Sequence, residues 1–127
     1  MIVVKLSAIL NSMNVLRELS TKPLKGRAAY QLGKIIKKAD EEFALFNETR
    51  QGLIEQYAIK DENGEFVLDK NGSYTFKGND MKTFMDEIKS VMDSEVELNA
   101  AKVKLEDLEE LSFTPAQMVL LEEFIEE

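Results

Sequence analysis

From Leu24 to Tyr57 the chain carries no proline, and apolar residues recur at three- and four-residue steps: Ala28, Leu32, Ile35, Ala39, Phe43, Phe46, Leu53 and Tyr57. That spacing places them on one stripe of an α-helix about nine turns and roughly 50 Å long. A stripe of this length has to be covered. The short apolar-periodic segment before it (Leu6, Ile9, Leu10, Met13, Leu16, Leu19) ends at Ser20-Thr21-Lys22-Pro23, where the residue preceding proline is driven out of the helical region. Two helices joined by so short a break predict an antiparallel αα-hairpin, with Ser7 as the N-cap of the first. The far end of the long helix then needs a further partner, either the C-terminal helix or a second copy of the chain. Gly33, in mid-helix, suggests a close approach of another element.

The remaining segments read as follows. Residues 2 to 6, IVVKL, are β-branched and suit an edge strand. DENGEFVLDKNGSYTFKGND, residues 61 to 80, contains two Asp-x-Asn-Gly tetrads eight residues apart, and DKNG lies between alternating Phe66-Val67-Leu68 and Tyr74-Thr75-Phe76. Asn-Gly tolerates positive φ, so a β-hairpin over about 65–77 is expected. A helix over about 80–93 follows, capped by Asn79 or Asp80, with Met81, Phe84, Met85, Ile88, Val91 and Met92 as its buried face. Val96, Leu98, Val103 and Leu105 alternate with charges, so 95–105 reads as strand or helix, and either half is a candidate to pair with Ile2–Leu6. Thr114-Pro115 starts a last helix over about 115–126, carrying Met118, Leu121, Phe124 and Ile125 inward. The expected fold class is α+β, mainly α, in a single domain spanning 1–127, with no internal repeat.

Chemistry is constrained by what is missing from the sequence. Without histidine or cysteine, imidazole bases, thiolate nucleophiles and the usual zinc ligands are excluded. A calcium loop starting at Asp69 would place Tyr74 where the sharp turn needs glycine; one starting at Asp61 places Phe66 there and Gly72 at the bidentate position. Both frames fail, so neither a metal nor a cofactor is expected. The carboxylates Glu41, Glu42 and Glu48 lack the Glu-x-x-His pairing of a bundle metal site and read as solvating. No enzymatic activity is expected.

The charge of −8 disfavours nucleic acid as a partner, but it is unevenly placed. The segment 22–38 holds basic side chains without an acid, and Lys25, Arg27, Tyr30, Lys34, Lys37 and Lys38 form a candidate binding set for a nucleotide, a nucleic acid or an acidic protein. The ordinary reading of such a run is a solvated helix face, or one paired with the acidic segment that closes the chain. That segment, Glu106 to Glu127, has eight acids and no base; Glu109, Glu110, Glu122, Glu123 and Glu126 form a candidate acidic partner surface. The methionines of the third helix read as core filler in preference to an adaptable binding face.

The stretch LRELSTKPLKGRAAYQLGKIIKKADEEFALFNETRQGLIEQYAIKDENGEF, with SEVEL and the closing FTPAQMVLLEEFIEE, resembles a group of small uncharacterised acidic proteins of tailed phages and prophages of Gram-positive bacteria. The resemblance covers most of the chain and its motifs are structural. It implies a phage accessory protein in the host cytoplasm or on the virion. Such a protein would act through protein–protein contact, as a virion or assembly component or as an inhibitor of a host defence protein. Self-association through the long helix is a further expectation, and no membrane association is expected.

Overall fold

The computed structural model describes residues 2–127. The chain is mainly helical, with small β elements, and divides into two compact units: residues 1–43 with 93–127, and residues 44–92.

In the first unit, β1 (Ile2–Lys5) leads without a break into α1 (Leu6–Leu19). Ser7 is not the cap expected from the sequence. Lys5 holds the N-cap position in extended conformation, with no side-chain bond, and Ser7 lies within the first turn. The reason is the strand: Leu6 N–H still bonds Ser94 O at 2.9 Å, so the sheet fixes where the helix begins. Ile9, Met13, Leu16 and Leu19 are buried as their spacing requires. Ser12 is buried among them, and its hydroxyl donates to Ala8 O (2.6 Å) and Ile9 O (3.1 Å), so no polar atom is left bare.

The long helix, α2 (Gly26–Tyr57), runs 32 residues. Its N-terminal part returns along α1: Arg17 Nη2 meets Asp40 at 3.2 Å, and Ala28, Leu32, Ile35 and Ala39 are buried. This is the expected αα-hairpin. Gly33 marks no close approach. It is exposed, and a Cβ there would meet nothing within 4 Å.

β2 (Glu95–Leu98) pairs antiparallel with β1 in the register Ile2↔Leu98, Val4↔Val96. Of the two candidate partners for the N-terminal strand, it is therefore the first half of 95–105 that pairs. Val103–Lys104 forms β3, which runs parallel to the C-terminal Ile125–Glu126, β4. A 3₁₀ turn, Leu105–Leu108, follows β3. The last helix, α4 (Pro115–Leu121), starts with a complete capping box. Gln117 N–H donates to Thr114 Oγ1 at 3.2 Å, and Thr114 N–H donates to Gln117 Oε1 at 2.9 Å. It is shorter than expected, passing into a 3₁₀ turn (Glu122–Phe124) before β4. Extending β4 lets Phe124 fill the core while the backbone of Ile125 completes the β3 ladder, an arrangement a continuous helix cannot provide.

In the second unit, the C-terminal part of α2 has its own cover within that unit. Neither the C-terminal helix nor a second copy is needed to bury Ile54 there: α4 packs on α1, in the first unit. Tyr57 Oη donates to Glu87 of α3 (Asp80–Met92) at 2.9 Å, and Phe76 stacks on the buried Phe84 with centroids 5.0 Å apart. The sequence reading of α3 needs correction here. Phe84 alone is buried; Ile88, Val91 and Met92 are half-buried; Met81 and Met85 stand 56% and 54% exposed.

The β-hairpin is present, and it belongs to a larger figure. Residues 58–60, 66–68 and 74–76 are three short extended segments bridged as Ala58↔Phe76, Lys60↔Phe66 and Leu68↔Tyr74. Ile59 N–H bonds Thr75 O (2.9 Å), Val67 N–H bonds Ile59 O (3.0 Å), and Thr75 N–H bonds Val67 O (3.3 Å). Three residues spaced eight apart thus hand one hydrogen bond each round a closed ring. The absence of an internal repeat, expected from the sequence, is overturned: AIKDENGE and FVLDKNGS are two copies of an eight-residue unit, and YTFKGND begins a third. The two tetrads make the same turn. Asp61 Oδ1 accepts from Asn63 and Glu65 N–H, Asp69 Oδ1 accepts from Asn71 and Ser73 N–H, and Gly64 and Gly72 sit at φ 80° and 78°. Closing the ring leaves no long free edge for another strand to extend.

Candidate binding surface

Charged side chains of the first unit separate into those engaged within the chain and those left to solvent. Arg27, at the start of α2, is engaged. Its Nη2 lies 3.0 Å from Oδ2 and 3.3 Å from Oδ1 of Asp107, its Nε 3.3 Å from Oδ2, and Glu106 approaches at 3.7 Å. The Asp107 side chain is only 6% exposed, so this fork of hydrogen bonds solvates a carboxylate that water barely reaches. Lys38 pairs along its own helix with Glu41 (3.8 Å) and Glu42 (3.5 Å). The Lys34 ammonium lies 5.1 Å from the ring centroid of Tyr30, which is itself 67% exposed. Lys25 lines a groove whose other polar walls are Glu106, Asp107, Glu109 and Glu110. Lys37 is exposed and has no ion pair among the described residues. The candidate basic set is therefore divided. Tyr30, Lys34 and Lys37 share an outward ridge of α2, Arg27 and Lys38 are ion-paired within the chain, and Lys25 lines a groove with Glu109 and Glu110 without an ion pair among the described residues.

The acidic candidates behave differently. Glu109, Glu110, Glu122, Glu123 and Glu126 are all exposed, and none has an ion pair among the described residues. The turn after the 3₁₀ segment Leu105–Leu108 carries Glu109 and Glu110 into the lining of the groove they share with Pro23, Leu24, Lys25 and Leu111, about 500 Å³ in volume. Glu110 also borders a smaller cleft of about 260 Å³ lined by Val15, Leu19, Leu111 and Phe113. Glu123, held by the 3₁₀ turn before β4, lines a third groove along β1 together with Glu95. Each of these clefts combines acids and apolar surface with one lysine (Lys25, Lys22 and Lys5 in turn), and the acids and apolar residues suit the cationic heads and aliphatic stems of lysine and arginine.

Two features lie outside the sequence-based candidates. Glu95 and Glu97 are exposed on β2; the strand and its pairing with Ile2–Leu6 are one of the two sequence alternatives, but neither glutamate is among the candidate residues. In the second unit, Leu45, Val67, Leu68, Met81 and Met85 are exposed, whereas Ile54 and Phe84 are buried. No group of three or more Asp or Glu able to hold a metal occurs among the described residues. Among the described residues the Tyr57 hydroxyl is raised above its ordinary value, by its hydrogen bond to Glu87 and by desolvation. No helix is long and apolar enough to cross a membrane among the described residues. Set against known protein families, characterised proteins and solved structures, the chain matches none of them.

Proposed function

We propose that the chain works without catalysis, by presenting an acidic surface to a basic partner protein. The observation that carries this reading is the asymmetry of charge engagement. Arg27 and Lys38 are ion-paired with acids of the same chain, while Glu109, Glu110, Glu122, Glu123 and Glu126 are exposed and have no ion pair among the described residues, although Lys25 lines the groove that Glu109 and Glu110 share. Exposed acids on a chain of net charge −8 steer a basic protein toward encounter and repel polyanions. The family resemblance sets this activity in a phage-infected cell, in the host cytoplasm or on the virion. There the partner is a host defence protein to be inhibited or a neighbouring component of the particle. Leu45 and the outward face of α2 supply the surface for self-association where copies assemble.

A second reading has one observation in its favour: Tyr30, Lys34 and Lys37 on one exposed ridge combine an aromatic face with two cations, as a nucleotide or single-stranded nucleic-acid contact requires. Chromatography on heparin and on a nucleotide resin at low salt separates the two. The acidic-surface reading expects the protein in the flow-through of both. Retention that is lost near physiological salt, and lost in Lys34→Glu, would replace it with the second.

A further inference from the structure

The geometry points to the free edge of β2 as a docking site for an extended, lysine- or arginine-bearing strand of a partner protein, added to the β1–β2 sheet. This deepens the acidic-surface reading by naming the partner's conformation, and rests on it for the partner's charge.

Among the described residues the sheet has two strands, and none pairs with the far edge of β2. The hydrogen-bonding phase of the pair follows from one contact. Leu6 N–H bonds Ser94 O at 2.9 Å, and bonded and non-bonded pairs alternate along an antiparallel ladder. Val4↔Val96 and Ile2↔Leu98 are therefore the bonded pairs. Val3↔Glu97 and Lys5↔Glu95 are the non-bonded ones. The N–H and C=O groups of Glu95 and Glu97 consequently point away from β1, and neither residue's backbone bonds any other described group. Both residues are exposed, while Val96 and Leu98 anchor the strand in the core. An edge of this kind, rigid and with its donors and acceptors aligned, is the template on which β-augmentation operates.

Charge selects the occupant. The Glu95 and Glu97 side chains project on the same exposed face, two residues apart, without an ion pair among the described residues. A second copy of β2 brought antiparallel to the first sets Glu95 against Glu97 of its neighbour, and like charges directly opposite destabilise a ladder. The same edge therefore rejects its own copy and accepts a strand with cations at alternate positions. Glu123 lines the same groove along β1 as Glu95, and Lys5, opposite Glu95 in the ladder, lines it too, so Glu97, which faces Val3, is the acid of this face with no cation across from it.

The test uses the full chain and a fluorescent peptide alternating lysine with threonine, its binding followed by anisotropy at low and physiological salt. Three controls accompany it: a scrambled peptide of the same composition, the same peptide with alternate amides N-methylated, and a peptide alternating glutamate with threonine. In the protein, Glu97→Pro removes an outward N–H without breaking the β1 ladder. The Glu95→Lys/Glu97→Lys variant reverses the face. The alternating lysine peptide is expected to bind at least about tenfold more tightly than the N-methylated and scrambled ones. Glu97→Pro is expected to lose that margin with its thermal unfolding nearly unchanged, and the double lysine variant to prefer the glutamate peptide. Equal affinity for the N-methylated peptide would reduce the effect to general charge attraction and overturn edge docking, as would undiminished binding by Glu97→Pro. Absence of any binding would mean that the two glutamates only guard the edge, which overturns edge docking and leaves the acidic surface at Glu109 and Glu110 to its own tests.

Discussion

Replacing Arg27 by methionine tests whether the basic segment is engaged internally, because the two partners of the Arg27–Asp107 contact sit in unlike surroundings. The guanidinium side chain is 55% exposed, the carboxylate 6%. A charge pair near 4 Å is worth about 4 kcal/mol gross at an effective dielectric of 20. Exposure of the arginine and the entropy of holding it reduce the net to about 1 kcal/mol. Arg27→Met leaves Asp107 buried without its donors, which costs about 1–3 kcal/mol for the stranded group. Asp107→Asn leaves an arginine that water can solvate, so its cost is about 0.5–1 kcal/mol. The double variant should be less destabilised than the sum of the two singles by about 1 kcal/mol. Urea unfolding followed by circular dichroism measures all four proteins, and comparing slopes confirms that the same transition is observed. Two singles of equal cost below about 0.3 kcal/mol, or a cycle with no coupling, would refute the claim that this pair is a held contact and would return Arg27 to the free basic surface.

Other perturbations follow from local geometry. Gly72→Ala, at φ 78°, should lower stability by about 1 kcal/mol, and Gly64→Ala at φ 80° by a similar amount; thermal melts measure both, and an unchanged midpoint would contradict the turn geometry. Asp69→Ala removes the acceptor of Asn71 and Ser73 N–H and should expose both amides to faster hydrogen exchange, with Asp61→Ala doing the same at Asn63 and Glu65. Thr114→Ala breaks the capping box and should cost about 1 kcal/mol, read by urea unfolding. The Tyr57 hydroxyl, raised by its bond to Glu87, holds its proton more tightly folded than unfolded. That contribution is complete below the unfolded value of about 10 and is lost as pH rises through the folded value, so stability should fall more steeply above pH 10 in the parent than in Tyr57→Phe.

Much of the fold could be read from residue spacing because local rules and burial agree there. Leu6, Ile9, Met13, Leu16 and Leu19, and Ala28, Leu32, Ile35 and Ala39, are buried at the expected positions, Leu10, Phe43, Phe46, Leu53 and Tyr57 only half so, and Thr114-Pro115 caps as its chemistry dictates. The failures have a common physical origin in non-local pairing. Ser7 lost the N-cap because the β1 ladder reaches Leu6. Ile125 left its helix because Val103 offered a strand partner. Met81 and Met85 have helical spacing whether or not anything covers them, so periodicity placed them in a core that the second unit does not supply. The eight-residue ring was half visible in its two Asp-x-Asn-Gly tetrads. The third copy, with glycine shifted to Gly78, and the closing bond from Ile59 to Thr75 are tertiary facts. For the binding surface, the sequence showed both charge runs but not which side chains face one another. Only the fold brings Arg27 to Asp107 across 80 residues and leaves Glu109 and Glu110 to solvent.

Site-specific photocrosslinking in producing cells is the most direct measurement of the central claim. A crosslinking amino acid placed singly at Glu110, Glu123 or Lys34 reports what touches each surface. The account predicts a discrete adduct with a basic protein from positions 110 and 123, weakened by added salt and absent from position 34. Adducts from position 34 alone, to nucleic acid or to an acidic protein, would contradict it.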